Sequence, residues 1–151
     1  MTLILTLMNW RGYAVTAKYV LVDTSAWILA LKPGPSDRVR GVIDGLLAGG
    51  RIAIIPIIRL ELLGGARSQA EFQRLDRRLG ALHQLALAKA EWDESATLAF
   101  RLRRAGLTVP YTDVIIAAAA ILHGMALVHA DRHFDLIAGE VTLKTENLLA
   151  R

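Results

Sequence analysis

Three short runs, "KYVLVD" (18–23), "RIAIIP" (51–56) and "MALVHA" (125–130), are almost continuously apolar, and segments with helical spacing lie between them. A strand with one wet face alternates polar and apolar residues, whereas a strand covered on both faces does not. Runs of this kind fit a parallel sheet, whose right-handed crossovers lay helices over both faces. Weaker strands are expected at "HQLAL" (83–87) and "VTL" (141–143). Helices are expected over 24–32, 36–48, 57–66, 68–82, 91–105 and 112–123. Thr24 or Ser25 would cap the first, with Asp23 as the alternative cap, and Pro33 would stop it. "LTVPY" (107–111) reads as a loop and "DRHF" (131–134) as a turn. The expected fold is a three-layer α/β/α domain around a mostly parallel five-stranded sheet.

With 151 residues the chain has the length of one domain, expected over 18–151. Residues 1–17 read as an N-terminal extension, expected to be poorly ordered. Its apolar stretch "TLILTLM" is too short to span a bilayer and lacks a basic flank, so no membrane association is expected. The chain has no cysteine, which suits a reducing cytoplasm and excludes disulfides and thiolate metal sites. Any metal must be held by oxygen or imidazole. The net charge is +4, and arginine supplies 14 of the 18 cations, a side chain suited to phosphate. That charge is too modest to establish a nucleic-acid partner.

Four acids stand apart by context. Asp23 ends "YVLVD", Glu61 sits in "IIRLELL", Asp113 heads "DVIIAAAA" and Asp131 follows "ALVHA". Parallel sheets place ligand sites beyond the carboxyl ends of their strands, where Asp23 and Asp131 fall and where Glu61 and Asp113 can reach. Carboxylates packed together repel and raise at least one pKa. A divalent cation removes that conflict, and an all-oxygen donor set selects Mg²⁺ or Mn²⁺. Singly each acid has an ordinary explanation: a helix cap for Asp23, the helix dipole for Asp113 beside Thr112, a turn for Asp131. Glu61 lies beyond the first turn of its helix, so capping does not explain it.

The stretches "VLVDTSAWI", "IPIIRLELLGGA", "PYTDVIIAAAAILHG" and "LVHADRHFD" resemble the successive motifs of PIN-domain ribonucleases, specifically VapC-type toxins of bacterial toxin–antitoxin pairs. The resemblance covers about residues 19–145. It implies a homodimeric, metal-dependent endoribonuclease with Mg²⁺ or Mn²⁺ as cofactor, an RNA substrate, and an antitoxin that inserts a segment into the active-site groove. The family's metal-binding catalytic acids fall on Asp23, Glu61, Asp113 and Asp131, with Ser25 and Thr112 supporting them. Where many relatives carry a Thr or Ser two positions before the last acid, this chain has His129. Arg59 and Arg132 adjoin site acids and are expected phosphate contacts, and Asp135 is an outer-lying acid. The alternative is a non-catalytic RNA- or protein-binding module of the same fold. His129 and His133 bracket Asp131 and read as structural, hydrogen-bonded histidines in preference to ligands or bases.

Overall fold

The computed structural model describes residues 18–149, so the expectation for residues 1–17 lies outside the described residues. The strands are β1 (Val20–Val22), β2 (Ile52–Ile54), β3 (His83–Gln84), β4 (Leu127–His129) and β5 (Thr145–Asn147). The helices are α1 (Thr24–Leu31), α2 (Asp37–Ala48), α3 (Pro56–Gly64), α4 (Gln69–Gly80), α5 (Lys89–Arg104), α6 (Tyr111–Leu122) and α7 (Arg132–Glu140). All five strands are parallel in the order β3-β2-β1-β4-β5. Val20 pairs with Ile52 on one side of β1, and Leu21 with Leu127 on the other.

Burial follows the hydropathy pattern. Every residue of β1, β2 and β4 is buried, including His129, as strands sandwiched between helices require. Helix α6 supplies Ile116 and four consecutive fully buried alanines, Ala117 to Ala120. Those small side chains let it lie close to its neighbours. Helices α5 and α6 are pinned by His123, whose Nε2 lies 2.8 Å from Glu91 Oε1. Glu91 also accepts the Ala88 N–H at 2.9 Å. The His123 hydrogen bond, more than these backbone contacts, holds the Glu91 carboxyl below its ordinary pKa.

Several expectations are corrected. The last strand is Thr145–Asn147, not "VTL". Its sequence "TEN" carries no apolar signal, because Glu146 enters the interior on the strength of its 2.5 Å ion pair with Arg38. Leu143 of "VTL" is instead a buried core residue before the strand. "DRHF" is no isolated turn but the start of α7, which buries Phe134 and Ile137 one turn apart. Asp131 caps this helix by accepting the His133 N–H at 2.9 Å. At α1 the cap is Asp23, not Thr24 or Ser25, which are the first two helical residues. β3 is reduced to two exposed residues at the sheet edge.

Candidate metal centre

The strand order reverses at β1, whose neighbours β2 and β4 lead to opposite edges of the sheet. At such a switch point the loops after the two strands part and leave a crevice. Asp23 follows β1 directly and Asp131 follows β4 by two residues, so both stand at this crevice.

Asp23 is 4% exposed and held from two sides. Its Oδ2 accepts the Ser25 N–H at 2.9 Å and the Ser25 hydroxyl at 2.5 Å. The same hydroxyl accepts the Ala130 N–H at 2.9 Å, tying the end of β1 to the segment after β4. Burial pushes the Asp23 carboxyl above its ordinary pKa, against the lowering pull of the Ser25 hydrogen bonds. Ser25 thus bonds both Asp23 and the segment after β4.

Glu61 arrives from α3. Pro56 at the first position starts that helix directly after β2, which brings its second turn over the crevice. Glu61 Oε1 accepts the Thr24 hydroxyl at 3.1 Å. Its pKa is raised, by desolvation first and then by the charges of Asp23 and Asp113. Asp113, in the first turn of α6, is also raised, first by burial and then by Asp131 and Asp23, while its hydrogen bond with His133 lowers it. Asp113 thus feels or is felt by each of the other three acids, and Asp23 by Glu61 and Asp113.

The tightest set is Asp113, Asp131 and His133, whose donor atoms all lie within 4.8 Å of one another. His133 Nδ1 is 2.9 Å from Asp113 Oδ2 and 3.3 Å from Asp131 Oδ1. His133 is the partly buried, hydrogen-bonded histidine the sequence leads one to expect, and its partner is Asp113. The Asp-x-His spacing at a helix start puts the cap residue Asp131 and the second helical residue His133 at one end of α7. His129 is not a comparable donor: it is fully buried, and its Nδ1 accepts the Asp131 N–H at 3.2 Å. Its Nε2 faces Asp135 Oδ1 at 3.6 Å, and burial lowers its pKa. Through the Nδ1 contact its ring steadies the Asp131 backbone. Asp135 accepts the Asn147 amide at 2.7 Å and joins α7 to β5. Thr112 is exposed at the second position of α6. Arg59 is paired with Asp76 of α4, and Arg132 is exposed at the first position of α7.

The donor set suits a hard divalent cation: burial raises the pKa of Asp23, Glu61 and Asp113, and neighbouring carboxylates add to the rise at Glu61 and Asp113, a cost that such an ion would relieve. The model of the PIN domain family matches residues 20–140, which contain all four acids. The chain is a PIN-domain protein. Within that family it is 36% identical over 124 residues to the VapC ribonuclease Mb1587 of Mycobacterium bovis, covering 79% of this chain and 91% of the relative. It is 31% identical over 134 residues to ribonuclease VapC18 of Mycobacterium tuberculosis, covering 86% and 95%. These relatives make it a member of the VapC ribonuclease group of PIN domains. The fold is shared with FitAcB of Neisseria gonorrhoeae (TM-score 0.71, 20% identity, 87% and 99% coverage). It is shared as well with VapBC2 of Rickettsia felis bound to a promoter DNA fragment (TM-score 0.72, 22% identity, 85% and 98% coverage). Among the described residues no helix is long and apolar enough to cross a membrane.

Proposed function

We propose that this PIN-domain protein is an endoribonuclease and the toxin of a toxin–antitoxin pair, hydrolysing RNA phosphodiester bonds at the Asp23, Glu61, Asp113 and Asp131 site with Mg²⁺ or Mn²⁺. The observation that carries the reading is the convergence of acids from β1, α3, α6 and the β4–α7 junction on one crevice. When bound, the divalent cation lowers the pKa of a coordinated water and offsets charge on the attacked phosphate. The chain's own residues do the rest. Asp113 and Asp131 are the nearer pair of ligands, with donor atoms within 4.8 Å. Asp23, fixed by Ser25, and Glu61, steadied by Thr24, would complete the acidic donor set. Exposed Arg132 lies next to Asp131 and grips a flanking phosphate. Arg59 is released to do so only by leaving Asp76.

Partners are supported by exposed apolar surface. Leu60, Phe100 and Tyr111 are each 67% exposed, and an apolar groove of about 490 Å³ runs between Trp27, Leu31, Leu47, Leu75 and Leu79. Surface of this kind calls for cover by a second subunit and by an antitoxin. The mean hydropathy of +0.38 agrees.

The test is cleavage of RNA by the purified full-length protein in Mn²⁺ or Mg²⁺. Activity that is lost on chelation and lost in Asp113→Asn supports the reading. A well-folded protein that binds RNA without cutting it in either metal would instead support the binding-module alternative.

A further inference from the structure

We infer that His133 is a direct nitrogen ligand of the divalent cation, making the site a mixed imidazole–carboxylate one that prefers Mn²⁺ to Mg²⁺; this rests on the proposed reading of the four acids as a metal site. His133 enters from the first turn of α7, and its position is fixed by its own N–H, which the Asp131 side chain accepts at 2.9 Å. The side chain is 30% exposed and turned toward the acids. A single atom, Nδ1, sits 2.9 Å from an oxygen of Asp113 and 3.3 Å from an oxygen of Asp131. The Asp131 oxygen it approaches is the same Oδ1 that caps the His133 N–H, and the Asp113 oxygen is its hydrogen-bond partner, so the cap and this bond together seat Nδ1 between carboxylates from two different elements.

A shared cation fits this placement. Ligands at adjacent corners of an octahedron with bonds of about 2.1 Å stand about 3.0 Å apart. The two observed separations bracket that edge length. His133 then neighbours both Asp113 of α6 and Asp131 of the α7 start in the coordination shell. An orienting histidine, by contrast, bonds the outward oxygen of one carboxylate and lies behind it. The second imidazole near the site cannot substitute, because the lone pair of His129 Nδ1 is already engaged by the Asp131 N–H. Mg²⁺ takes oxygen ligands almost exclusively, whereas imidazole suits the first-row transition ions. The consequence is a discrimination between metals that carboxylates alone would not supply.

The experiment is pulsed electron paramagnetic resonance on the full-length protein loaded with Mn²⁺, alongside calorimetric titration with Mn²⁺ and Mg²⁺. The wild type is expected to show nitrogen hyperfine modulation from a directly bound imidazole. In His133→Gln, Mn²⁺ binding weakens by about 10-fold or more while Mg²⁺ binding changes by less than about 3-fold. Bound Mn²⁺ without nitrogen coupling overturns the assignment, whatever the variant does. So does an equal loss for both ions, which an orienting role predicts. Asp113→Asn separates this from the underlying reading. If an oxygen-only Mn²⁺ site disappears in that variant, the acids are the site and only His133 is wrongly assigned. If Asp113→Asn binds Mn²⁺ as the wild type does, the metal site itself is misplaced and both fall.

Discussion

Replacing Asp113 with Asn should stabilise the metal-free protein and destabilise the metal-loaded one, relative to wild type. Asparagine keeps the shape and an acceptor for His133 but removes the charge. Two carboxylates whose oxygens lie within 4.8 Å repel by about 3 kcal/mol at an effective dielectric constant of about 20. The Asp131 side chain is 34% exposed, so solvent screens the pair and the gain realised is nearer ~1 kcal/mol. For a chain of this size that is a rise in Tm of about 2–4 °C. In Mn²⁺ at about 100 times Kd the wild type gains about 2.7 kcal/mol from binding, most of which the variant forfeits. The order of melting therefore inverts: the variant is the more stable in chelator, the wild type in Mn²⁺. Differential scanning fluorimetry of both proteins in both conditions reads this directly. A variant that melts lower in chelator, or that gains as much from Mn²⁺ as the wild type, refutes the view that these acids repel until a cation joins them.

Three further outcomes follow from the same geometry. Ser25→Ala strips the Asp23 carboxylate of its 2.5 Å hydroxyl partner and orphans the Ala130 N–H. It should cost about 1–3 kcal/mol in a denaturant titration and weaken metal binding by about 10–100-fold in calorimetry. Asp23, Glu61 and Asp113 all have raised pKa values in the folded, metal-free chain. The folded state thus binds more protons than the unfolded state across the interval from the unfolded carboxylate pKa up to the raised values. Their stabilising contribution is complete below that interval and lost as pH rises through it; Asp113→Asn should flatten this part of the stability–pH curve, measured in chelator. Phe134→Ala empties a fully buried position beneath the α7 start, and a loss of about 3–5 kcal/mol is expected from the denaturation midpoint.

Much of this was legible in the chain. The unbroken apolar runs ending at Val22, Ile54 and His129 could only be strands covered on both faces, and β1, β2 and β4 are. Glu61 stood out because no local role explained it, and its partners, Thr24 and the charges of Asp23 and Asp113, come from elsewhere in the sequence. The failures have a common cause. β5 is polar, and only its distant partner Arg38 makes a buried Glu146 tolerable, so no pattern within 145–147 could reveal it. His133 read as a structural, hydrogen-bonded histidine, and it is one, but its partner Asp113, 2.9 Å away, lies twenty positions upstream and no local pattern names it. The "DRHF" helix start was readable in principle, from Asp131 as cap and the Phe134–Ile137 spacing.

The most direct test is an anomalous-scattering map from crystals of the wild type grown or soaked with Mn²⁺. The expected result is a peak at the carboxyl ends of β1 and β4, at about 2.0–2.3 Å from donor atoms of Asp113 and Asp131, with Asp23 and Glu61 facing it directly or through water. A saturated crystal with no peak there, or with Mn²⁺ bound only at acids elsewhere on the surface, would contradict it.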